Sequence, residues 1–98
     1  MNYDKSRGFM VDHAPGDDLD YGFDWADVLD EGEMITQSDW TASTDITLTR
    51  ETVAGSVTLA FAAGGEDGKY YQLVNEVQTS SGRVYNRMIT LICKKTIA

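Results

Sequence analysis

Cysteine, proline and histidine each occur once in this 98-residue chain, as Cys93, Pro15 and His13. A single cysteine excludes an intrachain disulfide, so the core must hold without a covalent staple. Cys93 lies in the apolar run "MITLIC", where it reads as a small buried hydrophobe. A single histidine excludes multi-histidine metal sites, and His13 sits in a segment with no rigid support for a general base. Serine nucleophile elbows, Walker loops, Rossmann glycine patterns and CxxC pairs are all missing. The glycines of "AAGGEDGK" lack Walker spacing and read as a hairpin loop. No catalytic or cofactor-binding residue is assigned, and the expectation is a chain that is not an enzyme.

Long apolar runs are missing too. Nothing approaches the ~20 residues that span a bilayer. The opening "MNYDKSRGFMVDHAPGDDLD" lacks the basic start, apolar middle and cleavage site of a signal peptide. The expectation is therefore a soluble chain made in the cytosol, with no membrane partner. Basic residues are scarce: 8 Lys and Arg face 16 Asp and Glu, for a net charge of −8. The imbalance is local, since residues 1–45 hold twelve acids against only Lys5 and Arg7. A field of that sign repels phosphate backbones and argues against nucleic-acid binding. It allows docking on a basic partner, or head-to-tail contact between copies, and equally a solvated face. Asp17, Asp18, Asp20 and Asp24 could offer oxygen ligands to calcium. Counted from Asp18, however, the glycine falls at the fifth place of an EF-hand loop and Leu29 at the twelfth, so no metal site is assigned.

What the chain does have is pattern. With a hydrophobic share of 42%, one thin core in one domain is the limit. Residues 1–20 hold few apolar anchors and the turn-like "PGDD", and read as an extended acidic arm. Trp25, Val28 and Leu29 share a face at helical spacing, so a short helix is expected at about 24–31. Asp24 would cap it and Gly32 stop it. From Glu33 the period becomes two, through "EMITQSDW", "TDITLTR", "GSVTLAFAAG", "KYYQLVNEV" and "RVYNRMITLICKK". Val57, Leu59 and Phe61 alternate in the third of these. On the last, Tyr85, Arg87, Ile89, Leu91 and Cys93 share one face, with Met88 and Ile92 on the other. Short turns at "GEDG" and "TSSG" join strands about a dozen residues apart, which predicts a small all-β antiparallel sandwich over 21–98. Asn75 either pairs with backbone or reaches a partner. Arg83 and Arg87 are either solvated or pair with the acids of a neighbour.

"DYGFDWADVLDEGEMITQSDW", "AGGEDGKYYQLVNEVQTSSGR" and "RMITLI" together resemble a family of small tailed-phage virion proteins, the fiber-tail adaptors. The motif positions are Tyr21, Asp24, Trp25, Leu29, Gly32, Glu33, Ile35, Ser38, Trp40, Gly64, Tyr71, Asn75, Thr79, Gly82 and Arg83. The likeness covers roughly 20–93. Glu33 stands where Asp is common, and 41–55 matches only as generic strand.

The resemblance implies an Ig-like sandwich and a non-enzymatic role in the virion, joining tail fibres to the tail in many symmetric copies. Its partners would be other virion proteins, the tail tube or adaptor and the fibre. Capsid decoration, a neck location or host-surface glycan binding are the alternative roles for such a module. Under this reading Phe23, Trp25, Leu29 and Trp40 dock the arm or helix onto the sandwich. Tyr3, Phe9, Met10, Val11, Arg83 and Arg87 are the expected contacts to partner chains.

Overall fold

Tyr71, Leu73, Asn75, Val77 and Thr79 are buried while the residues between them are more open, the mark of a strand with one face inward. The same alternation, read along the whole computed structural model, yields seven strands. The structure describes residues 9–94. The strands are β1 (Phe9–His13), β2 (Asp18–Asp24), β3 (Ile35–Ala42), β4 (Ile46–Ala54), β5 (Val57–Gly64), β6 (Tyr70–Thr79) and β7 (Val84–Cys93), with no helix among the described residues. They form two sheets, in the orders β1-β7-β6-β3 and β2-β5-β4, stacked as a sandwich.

The core between the sheets is aromatic at one end and aliphatic at the other. Phe23 of β2 stacks on Trp40 of β3 with ring centroids 5.8 Å apart, and meets Trp25 edge-on at 5.8 Å. Leu73, Val77, Ile89, Leu91 and Cys93 complete the buried cluster from β6 and β7. Gly22 lies against β5 so closely that a Cβ there would overlap the Thr58 carbonyl oxygen and the Leu59 side chain. Tyr71, near the start of β6, folds its hydroxyl back to accept the Glu66 amide at 3.0 Å, which pins the β5–β6 corner.

Four sequence expectations are corrected. The extended arm over 1–20 does not hold for its described part: Phe9–His13 pair with β7, and Asp18–Asp20 already belong to β2. Period two is present here but masked by acids. Val11 and His13 point inward, as do Tyr21, Phe23 and Trp25 further on, whereas Asp18, Asp20 and Asp24 line the outer side. The pairing is also not purely antiparallel, because β1 runs parallel to β7.

The expected helix at 24–31 is a single turn, closed by Val28 and Leu29 amides on the Trp25 carbonyl at 3.0 and 3.3 Å. Gly32 is accordingly no helix stop. It takes a φ of +77° in the next turn, where the Glu33 amide donates to the Asp30 carbonyl. On β5 the core positions belong to the small residues Thr58, Ala60 and Ala62, while Val57, Leu59 and Phe61 face outward. Phe23 stands beside Thr58 on the same inner face and the Trp25 ring bonds that threonine, so the bulky rings sit next to small side chains on β5.

Candidate interaction surface

The acidic turn between β2 and β3 is built from the residues that looked most like a binding site. Asp24 accepts the Ala26 amide at 3.0 Å and the Ser56 hydroxyl at 2.7 Å. Those two bonds favour its charged form and hold its carboxyl below the usual range. Asp27 receives the Arg87 guanidinium at 2.8 Å on both oxygens. The same guanidinium donates to the Asp24 carbonyl at 3.1 Å and lies 4.4 Å over the Trp25 ring. Arg83 reaches Asp30 at 3.2 Å and Glu33 at 3.7 Å. The arginines of the β6–β7 hairpin thus have acid partners within the chain, Arg83 from a half-exposed position. They bind the chain's own turn.

Glu33 is the anchor of this end. Its side chain is only 3% exposed and accepts from the Thr79 hydroxyl at 2.5 Å, from the Ser81 hydroxyl, and from the Asp30 amide at 2.8 Å. The Ser81 and Thr79 bonds, followed by the Asp30 amide, lower its pKa to about 2. A depressed carboxylate pKa makes a stability contribution that is complete above the unfolded value, near 4.5. That contribution is lost as pH falls from there through about 2. Wild type should therefore melt above Glu33→Gln at pH 6, with the gap closing between about pH 4.5 and 2. Melting curves across that window check it, and a gap independent of pH would exclude the mechanism.

Behind the turn runs a buried polar relay. Trp25 Nε1 donates to Thr58 Oγ1 at 3.0 Å, and Thr58 Oγ1 donates to Asn75 Oδ1 at 2.6 Å. Asn75 Nδ2 then donates to Ser38 Oγ at 2.9 Å and to the Asp39 carbonyl at 3.1 Å. The relay starts at the end of β2, passes through β5 and ends on β6 and β3, so it stitches the two sheets together across the core. At the opposite end of the sandwich His13 is buried, with Nδ1 2.7 Å from the Tyr21 hydroxyl. Burial, with Asp17, Cys93 and Asp20 nearby, pushes that phenol up to about 12. Burial likewise raises the Cys93 thiol.

The sequence-expected residues therefore separate. Tyr21, Phe23, Asp24, Trp25, Leu29, Gly32, Trp40, Asn75 and Gly82 are structural: core, cap, relay or turn. Gly82 closes the β6–β7 hairpin with φ of +87°. Of the expected partner contacts, Tyr3 lies outside the described residues, as does the side chain of Phe9. Val11 packs on the core, whereas Met10 is 58% exposed on the outer face of β1. The four aspartates considered for calcium are dispersed: Asp17 accepts the Ala14 amide in the β1–β2 turn, and Asp18 pairs with Arg50 at 2.6 Å across β5. Among the described residues no three metal-binding side chains gather.

The sequence profile of the podophage GP4 fiber-tail adaptor protein gp77 matches residues 13–92, from the end of β1 to the end of β7. The chain belongs to that family. As a member of the fiber-tail adaptor family it has a structural role in a tailed phage and is a component of the virion. No curated protein matches the chain. Several of the family positions named from sequence now have a mechanical meaning. Asn75 and Ser38 are relay members, Thr79 and Glu33 are partners, and Arg83 holds the acidic turn. Sequence reading missed Thr58, Ser81 and the His13–Tyr21 pair, because their partners lie 8 to 48 residues away in the chain.

Proposed function

We propose that this chain is an adaptor that joins tail fibres to the tail through protein–protein contacts, in several copies set by the symmetry of the tail. The observation that carries this reading is the family match, which runs from the last residue of β1 to the end of β7. The geometry agrees with it. The acidic turn is tied to the β6–β7 hairpin by the chain's own arginines and hydroxyls, as suits a spacer between two partners.

The sandwich in this reading is Ig-like. Seven strands divide four and three, and a buried Trp on β3 packs against β2, as in that architecture. The Tyr71 corner bond at the start of β6 supports the same reading. So do Phe23 and Leu73, apolar residues at positions where immunoglobulin domains carry their inter-sheet disulfide.

The test is a phage lacking this chain. Its particles are expected to carry tails without fibres, and the purified chain should restore fibre attachment. Particles that keep their fibres without it would overturn the adaptor reading. Removing residues 1–19 would take away β1 and the start of β2, so the proposed contact at Tyr3 is probed by deleting residues 1–8 instead, which leaves every strand among the described residues in place.

A further inference from the structure

The gap between the two sheets is open at one end, along the side formed by β3 and β4. Val53 of β4 stands opposite the buried Thr58 and so faces inward, yet it is 46% exposed. Ile46 and Leu48, on the same face of β4, pack on the core instead. Val53, Leu29, Met34 and Ile35 line an apolar hollow of about 520 Å³. Beside it Asp30, Glu31, Ser80 and Ser81 line a second hollow, of about 320 Å³. Glu33 borders both, but its carboxylate is turned to Thr79 and Ser81. The acids open to a guest are the exposed Glu31 and Asp30, whose side chain is 70% exposed even while it holds Arg83. β3 and β4 are each the last strand of their sheet, so an extended segment suits the slot between them.

Residues 1–8, "MNYDKSRG", carry the complementary pattern. Alternate residues of an extended segment share a side, which groups Met1, Tyr3, Lys5 and Arg7, two apolar and then two basic. Nowhere else in the chain do two basic residues stand two apart. Arg50, Lys69, Arg83 and Arg87 are held by acids of their own chain. Lys94 follows the buried Cys93, and residues 95–98 offer a single base and a single large apolar residue.

Register decides which copy's segment fits. β1 starts opposite Ile89 and runs parallel to β7, so its first residue points to the Val84 end, where both hollows lie. However, β1 and β3 are opposite edges of their sheet. Three strand spacings and about six residues of strand put Phe9 roughly 25 Å from Ile35. The six residues back to Tyr3 span at most about 20–22 Å, which leaves no slack to round the sheet within one copy. A neighbour standing alongside in the same orientation sets its β3–β4 side against this β1 edge and removes that stretch.

We propose that residues 1–8 of one copy dock between β3 and β4 of the next, with Tyr3 in the apolar hollow and Lys5 and Arg7 against Glu31 and Asp30. The contact joins two different surfaces, so it repeats from copy to copy rather than ending at a pair. It rests on the adaptor reading for several copies standing side by side.

A photoreactive phenylalanine in place of Tyr3 is carried into virions and irradiated, and the products are separated by mass and sequenced. The expected product is two crosslinked copies, joining position 3 of one to residues 29–35 or 52–56 of the other. A link inside one copy, to another part of a second copy, to a different virion protein, or none at all overturns the docking. Lys5→Glu with Arg7→Glu should cut the yield of that product roughly three- to tenfold, and Glu31→Arg in the same chain should recover part of it. Unchanged yield, or no recovery, also overturns it, and melting of each free chain checks that the fold is kept. If fibres persist on particles lacking the chain while the copy-to-copy link still forms, the adaptor reading fails and the docking stands. If fibres are lost but the link goes elsewhere, the docking fails and the adaptor reading stands.

Discussion

Trp25→Ala is expected to lower the melting temperature by roughly 15–30 °C, the largest effect of any single substitution considered for this chain. Trp25 is wholly buried and is the largest such side chain. Truncating a buried tryptophan removes its transfer free energy and leaves a cavity, together about 3–5 kcal/mol. In a domain of this length each kcal/mol shifts the midpoint by about 4–8 °C. Three further contacts go with the ring: the edge-on contact with Phe23, the tilted contact with Tyr85 at 6.3 Å, and the Arg87 guanidinium above it. Because Arg87 also holds Asp27, the acidic turn should loosen as the core does. Thermal melts by circular dichroism check the prediction, and a midpoint within a few degrees of wild type would show that the site collapses to fill the gap.

The second large effect is expected at Asn75. Replacement by leucine, similar in volume and fully apolar, leaves the Thr58 hydroxyl without its acceptor and strips the donor from Ser38 and the Asp39 carbonyl. Each buried group left unpaired costs about 1–3 kcal/mol, so a loss of about 2–4 kcal/mol is expected. A double-mutant cycle separates the relay from simple packing. If Thr58 and Asn75 act as one unit, Thr58→Val and Asn75→Leu together should cost less than their sum by about 0.5–3 kcal/mol. Strict additivity in urea unfolding would argue that the 2.6 Å bond between them contributes nothing of its own.

Both predictions concern residues visible in the sequence, yet the reason each matters was not. Trp25 was legible as a core residue because Trp25, Val28 and Leu29 share a face, and one turn of backbone does sort them that way. The rest of the helix was not legible, because what ends it is tertiary. Arg87 pulls on Asp24 and Asp27, Glu33 binds Thr79 and Ser81, and those bonds offer the backbone an alternative that a marginal helix cannot match. In β2 the alternation of Tyr21, Phe23 and Trp25 was present throughout. Asp18, Asp20 and Asp24 between them read as solvated arm, because a strand's outer face is indistinguishable from disorder until its partner strand is known.

What the sequence determined by itself was the class of the molecule. Period-two alternation after Glu33 sets strands, glycines and short polar runs set their turns, and the order of motifs from Tyr21 to Arg83 marks the adaptor family. These are local or nearly local properties, and local physics is written in neighbouring residues.

Tertiary structure alone decided which acids meet distant partners and which meet each other. Asp24, Asp27, Asp30 and Glu33 are bonded by residues brought from 32 to 63 positions away. Asp39 and Glu76 are placed face to face by strand register. Charge pairing depends on distance in space, and no composition or spacing along the chain specifies that distance before the sheets have paired.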